Sequence, residues 1–236
     1  MIILHKYRLI FIKTTKTAGT SIEVFLSQFA DENDIVTPII PPENNHTSRN
    51  YKGFFNPVGE ILEEKHPRKA LGSIKASLKR EIFFNHMSGF KVKNRVAKEV
   101  WDGYYKFAVE RNPWDKAVSW YNMVKKRRGL DITFSEFIRS YTLPIDCNKY
   151  MDVKQENIIL NSVIKYEDLN EELREIFNSI DIEFDSLNVW AKGENKRTNM
   201  HYSKYYENDE DIELVGNIYR KEVKLFNYIF EDKRRG

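Results

Sequence analysis

What this 236-residue chain has little of narrows its class before any motif is read. It has one cysteine, Cys147, so an internal disulfide and a cysteine-built zinc site are both excluded, which fits a reducing compartment. No stretch approaches the roughly 18 to 20 apolar residues that a helix needs to cross a bilayer. The apolar opening is interrupted by His5, Lys6 and Arg8 before it could serve as a signal-peptide core. These absences predict a cytoplasmic protein with no membrane span. Charge of one sign is missing too: 38 Lys and Arg face 35 Asp and Glu, a balance of +3. Without a protein-wide positive field no nucleic-acid partner is expected, and any anion site must be local. Neither an internal repeat nor a linker is visible, so a single domain over residues 1–236 is expected.

What is there is enough for a large core. Hydrophobic residues make up 41% of the chain, with 15 Phe, 13 Tyr and 4 Trp. A domain of this length buries roughly 70 to 75% of its unfolded surface. Leu9 to Ile12 is a short continuous apolar run, the signature of a strand covered on both faces, and the residues before it also read as strand. After a turn, Ile22, Phe25, Leu26 and Phe29 recur at helical spacing. From about residue 31 to 89 prolines and Asn/Gly pairs punctuate the pattern, leaving short helices near Val58 to Glu64 and Ser73 to Lys79. Such a loop-rich stretch reads as a functional surface, or as a segment disordered in its middle. Further on, the pattern predicts a helix over Val92 to Asp102, a strand over Tyr104 to Val109, and a helix opening at Asn112-Pro113. A short helix near Phe134 to Tyr141, a strand over Ser162 to Tyr166, a helix over Asp168 to Ile180 and one long helix from Asp209 to Phe230 follow. Strands alternating with helices argue for an α/β fold with a central, mainly parallel sheet.

Two strand-to-helix junctions carry candidate chemistry. In Lys13-Thr14-Thr15-Lys16-Thr17-Ala18-Gly19-Thr20-Ser21, the helix start offers unpaired N–H groups and a positive dipole end. Gly19 lets backbone approach an anion; Thr17, Thr20 and Ser21 add hydroxyls and Lys16 a charge. The loop lacks the second glycine of a Walker A motif, and its lysine precedes the glycine by three residues rather than following it. The bland alternative is a Thr-capped helix after a basic turn. The second junction, Phe107 to Tyr121, places Arg111 at the carboxyl end of a strand, where open α/β sheets bind ligands. Asn112 caps the helix, Pro113 opens it, and Trp114, Ala117, Val118 and Tyr121 form its buried stripe. Ser119 falls on the Asn112 side and could meet the same anion as Arg111, or simply face solvent.

Together these segments resemble the sulfotransferases that use 3'-phosphoadenosine 5'-phosphosulfate, in particular bacterial relatives of the Golgi carbohydrate sulfotransferases. Lys16-Thr17-Ala18-Gly19-Thr20-Ser21 is similar to the family loop that holds the 5'-phosphosulfate, and Phe107 to Tyr121 to its F-x-x-x-R-N-P-W-[DE]-[RK]-x-x-S-x-Y motif. Lys165-Tyr166-Glu167-Asp168-Leu169 resembles the family's [RK]-Y-E-D-L segment, Lys196-Arg197 its late basic loop, and Leu225 to Phe230 its closing F-G-Y-x-F, with Asn227 where glycine is usual. The resemblance implies a P-loop-like three-layer fold and a nucleotide-binding transferase that passes a sulfuryl group to a hydroxyl acceptor, with a glycan favoured and no metal required. It assigns Lys16 and the backbone of residues 17–21 to the leaving phosphate, and Arg111 and Ser119, with Lys196 and Arg197, to the 3'-phosphate. His86, in Phe84-Asn85-His86-Met87-Ser88-Gly89-Phe90, stands where related carbohydrate enzymes carry a catalytic histidine, with His201 as the reserve base. The region of about 31–89 would face the acceptor, and its basic residues Arg49, Lys52, Lys65, Arg68, Lys69, Lys75, Lys79 and Arg80 could bind an anionic glycan or be surface charge. A P-loop-type kinase, and a non-catalytic nucleotide- or glycan-binding protein on the same fold, remain the competing readings.

Overall fold

The computed structural model describes residues 1–63, 67–152, 156–187 and 200–234. Five strands build the central sheet: β1 (Ile2–Leu4), β2 (Leu9–Ile12), β3 (Ile35–Val36), β4 (Tyr105–Glu110) and β7 (Ser162–Lys165), in the order β3-β1-β2-β4-β7. A separate small hairpin pairs β5 (Met151–Asp152) with β6 (Asn157–Ile158). β2, β4 and β7 pair in parallel, whereas β1 runs antiparallel to both β2 and β3, so four of the five strands share one direction. The apolar start is therefore a hairpin rather than one strand, turning between His5 and Arg8, where Arg8 adopts a left-handed backbone (φ 49°).

Period-two alternation sorts the strand residues between two cores. Leu9, Phe11, Phe107, Val109 and Ile164 face α1 (Gly19–Ser27) and α9 (Leu169–Asn178), through Ile22, Leu26, Leu173 and Phe177. Ile10, Ile12 and Ala108 face the opposite layer of α4 (Gly89–Arg95), α5 (Lys98–Gly103) and α8 (Cys147–Tyr150), meeting Val92, Trp101 and Tyr150. Both faces of the sheet are covered, which is why its strands read as continuous apolar runs rather than alternating ones. A third core joins α6 (Pro113–Arg128), α7 (Phe134–Ser140), α10 (Asp209–Ile218) and α11 (Arg220–Phe226) around Trp114, Tyr121, Phe137 and Tyr219. Trp114 belongs to this core, its indole N–H donating to the Ile212 carbonyl at 2.9 Å. The remaining helices, α2 (Val58–Glu63) and α3 (Pro67–Leu78), lie in the loop-rich region.

Two expected helices are broken. The span Val92 to Asp102 divides into α4 and α5 because Val96 and Ala97 turn extended, next to Arg95, whose guanidinium is held by Glu60 and by the carbonyls of Glu81 and Ile82. The long C-terminal helix divides at Tyr219, fully buried between α10 and α11, and ends at Asn227 rather than Phe230. Tertiary burial of a tyrosine overrides the periodicity that makes the segment look continuous.

Asn227 caps α11 with φ 52° and ψ 41°, a left-handed conformation that glycine adopts without cost and asparagine tolerates. Replacing Asn227 with Ala should lower stability by about 1 kcal/mol, while Asn227→Gly stays neutral or gains, as measured by urea unfolding. Equal losses in both variants would remove the backbone explanation.

Candidate active site

Parallel pairing brings the two junctions together. Ile12 sits opposite Ala108 in the ladder, so β2 and β4 end at the same edge and deliver their loops side by side. The first loop is braced from beneath. Thr14 donates its hydroxyl proton to the Val109 carbonyl, so the 2.7 Å contact between the Thr14 and Thr17 hydroxyls has Thr17 as donor. The Thr17 hydroxyl, expected to face an anion, instead ties the loop to itself, leaving its backbone N–H for a ligand. Lys16 (φ 62°) and Ala18 (φ 57°) are both left-handed, a strained pair at the turn into α1.

The start of α1 is uncapped: Ala18 supplies no side-chain acceptor and the first turn carries no acidic residue. Its N–H groups and dipole are thus directed at whatever stands before the helix. Gly19 is required for a reason the sequence did not reveal. A Cβ there would sit 2.7 Å from Cγ of Lys13, a buried lysine ion-paired to Glu23.

Arg111 joins the two junctions. Its Nη1 donates to the Lys16 carbonyl at 3.1 Å, its Nε and Nη2 reach Asp115 at 2.8 and 2.6 Å, and its guanidinium lies 4.3 Å from the Tyr166 ring centre. Ser119 is half-buried on the same face of α6, one turn beyond Asp115. Behind Arg111, Glu167 accepts from the Asn112 N–H at 2.8 Å and from the Tyr228 hydroxyl at 3.2 Å, so the Lys165–Leu169 segment locks the second junction to the chain's closing residues.

Under both loops lies a buried chain of charges. Lys116 pairs with Glu110 and Asp146, each at 2.7 Å. Asp146 also pairs with Lys149 and accepts from the Thr15 N–H at 2.8 Å and the Thr15 hydroxyl at 3.1 Å, while the Tyr150 hydroxyl donates to Glu110 at 2.9 Å. Burial works against the Asp146 charge, but Lys116 and Lys149 outweigh it and hold its pKa down to about 2. Burial dominates at Glu110 and, with Asp146 nearby, pushes its pKa up. The Lys116 ammonium is kept charged above its usual range despite burial, because two carboxylates face it.

His86 stands beside this cluster. Its backbone is left-handed (φ 59°), and its buried Nδ1 has no hydrogen-bond partner, nor has Oδ1 of Asn85. Burial first, then the charges of Lys149 and Lys13, lowers its pKa from 6.5 to about 3. His46 shares the effect: burial, the chain's amino end and Lys13 lower it to about 4, and its Nε2 is likewise buried and unpartnered. The charge of Lys13 thus adds to burial in keeping both imidazoles neutral. His201 is differently engaged: Nδ1 accepts from the Ser203 N–H at 3.3 Å and lies 2.9 Å from its hydroxyl, while Nε2 is 3.6 Å from Glu231. It caps the short 3-10 turn Tyr202–Tyr205, the role of a structural residue. Lys196 and Arg197 lie outside the described residues.

The structure thus sets Lys16 to Ser21 and Arg111 at two adjacent junctions, with Ser119 one turn beyond Asp115 on α6 and His86 subject to the charges of Lys149 and Lys13. Reading the sequence assigned no role to Glu110, Asp146, Lys149 or His46, and took Lys13 only as the first residue of the loop before α1. Lys116 was visible as a motif position, but nothing in the local pattern around Asp146 connects it to a loop 131 residues away.

Comparison with known proteins identifies the family. The model of the Sulfotransferase family matches residues 1–229, and the chain belongs to that family. Sulfuryl transfer is therefore its class of chemistry. An uncharacterized protein of Archaeoglobus fulgidus is 32% identical over 98 residues, 40% of this chain and 82% of the relative. A crystal structure of a sulfotransferase from Alicyclobacillus acidocaldarius aligns over 94% of this chain and 96% of its own, at 17% identity and a TM-score of 0.41. Among the described residues no helix is long and apolar enough to cross a membrane.

Replacing Lys116 with Met leaves two buried carboxylates without their shared cation and should cost about 3 to 5 kcal/mol in urea unfolding. A loss below about 1 kcal/mol would mean that the network carries little of the fold. His86 gives a pH signature. Its folded pKa is lowered, so stability is complete above the unfolded value of 6.5 and falls by about 1.4 kcal/mol per unit as pH drops toward about 3. His86→Gln should flatten that acid slope in thermal melts between pH 6.5 and 4; an unchanged slope assigns it to other groups.

Proposed function

We propose that the chain moves the sulfuryl group of 3'-phosphoadenosine 5'-phosphosulfate to a hydroxyl acceptor, a carbohydrate being the class its motif resemblance favours, and that it works in the cytoplasm. The observation that carries this reading is the contact between Arg111 and the Lys16 carbonyl. It sets a cationic group beside the uncapped start of α1, so two anionic ends of one nucleotide can be held a short distance apart. The residues present fit such a ligand: the N–H groups that open α1 have no side-chain cap and no competing carboxylate in their turn.

When bound, the donor supplies an activated sulfuryl group with a phosphate as the departing side. Lys16 and the N–H groups of residues 17–21 stand where negative charge grows as that bond breaks, in an in-line displacement governed by position and charge. Removing the Lys16 charge should cost on the order of 10² to 10³ in rate. Arg111 and Ser119 take the 3'-phosphate, Arg111 exchanging its Asp115 partner for it, and the motif resemblance assigns Lys196 and Arg197 to the same group. His86 accepts the proton of the attacking hydroxyl. Its depressed pKa keeps the imidazole neutral at pH 7, and anions bound beside Lys13 and Lys149 offset the charges that depress it, moving it toward a more effective base.

Adenosine 3',5'-bisphosphate should raise the melting temperature without magnesium, equivalent to about 2.7 kcal/mol at a hundredfold excess over its Kd. Arg111→Ala should abolish the preference for this ligand over AMP. A shift seen only with ATP and magnesium would replace this reading with a kinase; an equal loss of both ligands would detach Arg111 from the 3'-phosphate.

A further inference from the structure

The hairpin formed by α2 and α3 is built inside out. Its inward side chains are polar: Glu60 and Ser73 are each 2% exposed, Ser73 donates to Glu60 at 2.6 Å, and Arg95 and Lys91 reach the same carboxylate from α4. With about 3.6 residues per turn, Val58 and Leu62 lie opposite Glu60 on α2, Leu71 and Leu78 lie opposite Ser73 on α3, and Ile74 stands about 100° round the helix from Ser73. These apolar side chains face outward: Leu62 and Leu78 are each 80% exposed, Val58 52% and Leu71 49%. Phe54, 75% exposed, adds an aromatic ring with the Arg80 guanidinium 4.3 Å from its centre. An amphipathic helix normally turns this stripe to the core. Here the core side is occupied by an ion network and the stripe has nothing described upon it.

Charge selects the occupant. Residues 49–81 carry eight Lys and Arg against four Asp and Glu, an excess of four, while the whole chain carries +3, so the remainder sums to −1. Lys75 and Lys79 flank the apolar stripe on α3 and are exposed, and Arg80 follows at its end. A leucine face edged by lysines, with arginine over a phenylalanine, has the composition of a helix that lies in the headgroup layer of a bilayer. A second copy of the chain would bring two lobes of like charge together, which disfavours self-association through this face. We propose that the α2–α3 lobe docks the protein on an anionic lipid surface, its apolar stripe entering the interface and Lys75, Lys79 and Arg80 contacting the headgroups. Each basic residue near such a surface contributes independently of the apolar insertion, so the two sets of side chains can be tested apart.

Flotation with vesicles of phosphatidylcholine and phosphatidylglycerol, two to one, measures the partitioning, with pure phosphatidylcholine vesicles as the reference. The protein should float with the anionic vesicles at low salt and remain behind with the neutral ones. Lys75→Gln with Lys79→Gln and Arg80→Gln should reduce the partition coefficient on the order of 100-fold. Leu62→Ser with Leu78→Ser should reduce it at least as far, with the melting temperature of the free protein unchanged because both side chains are 80% exposed. If the leucine variant fails to fold, the charge variant alone decides. Absence of flotation with anionic vesicles overturns the proposal. So does flotation that the leucine variant leaves intact, which makes the lobe a polyanion site. A dimer in light scattering that the leucine variant dissolves would assign the face to a second copy.

Discussion

The arrangement of this protein depends on one buried ammonium group. Lys116 has no solvent to satisfy it and is paired to Glu110 at the end of β4 and to Asp146 before α8. Removing three charges from water is costly, and the geometry compensates only because every member has further partners: Tyr150 on Glu110, and Lys149 and Thr15 on Asp146. Through Thr15 the network reaches the first loop, and through Lys116 it reaches α6. The floor of the site is therefore also its alignment device, which a purely apolar core of the same volume would not supply.

Above that floor the site keeps two populations of charge apart. Lysine and arginine side chains gather at the two junctions, with uncapped N–H groups at the first, while His86 and His46 stay neutral first because they are buried and then because nearby lysines raise the cost of protonating them. An anion changes both at once, since it satisfies the cations and relieves the imidazoles. In the proposed reaction, ligand binding and base strength would thereby be coupled through electrostatics.

The parts of this design that a reader of the sequence can see are those written in local patterns. The uncapped loop before α1, the Asn112-Pro113 helix start and the strand runs all follow from spacing and turn chemistry. What escapes is whatever depends on distant partners. Tyr219 interrupts a helix because a core elsewhere accepts its ring. Thr17 turns its hydroxyl inward because Thr14 is already engaged by β4. Asp146 stands in an unremarkable Ile-Asp-Cys sequence, and only the fold brings it beneath a loop near the other end of the chain. The inverted polarity of α2 and α3 is equally invisible to a pattern that reports an apolar stripe without saying which way it faces.

The contact from Arg111 to the Lys16 carbonyl spans 95 residues of chain, and that from Asp146 to Thr15 spans 131. Closing loops of that length is entropically expensive and slow compared with forming the helices between them. During synthesis the first loop emerges long before either of its braces exists. The shape of the loop before α1 is thus a late product of folding, assembled only after residue 146 has joined the chain, and a nascent or truncated polypeptide that carries the whole first motif still lacks the brace that shapes it.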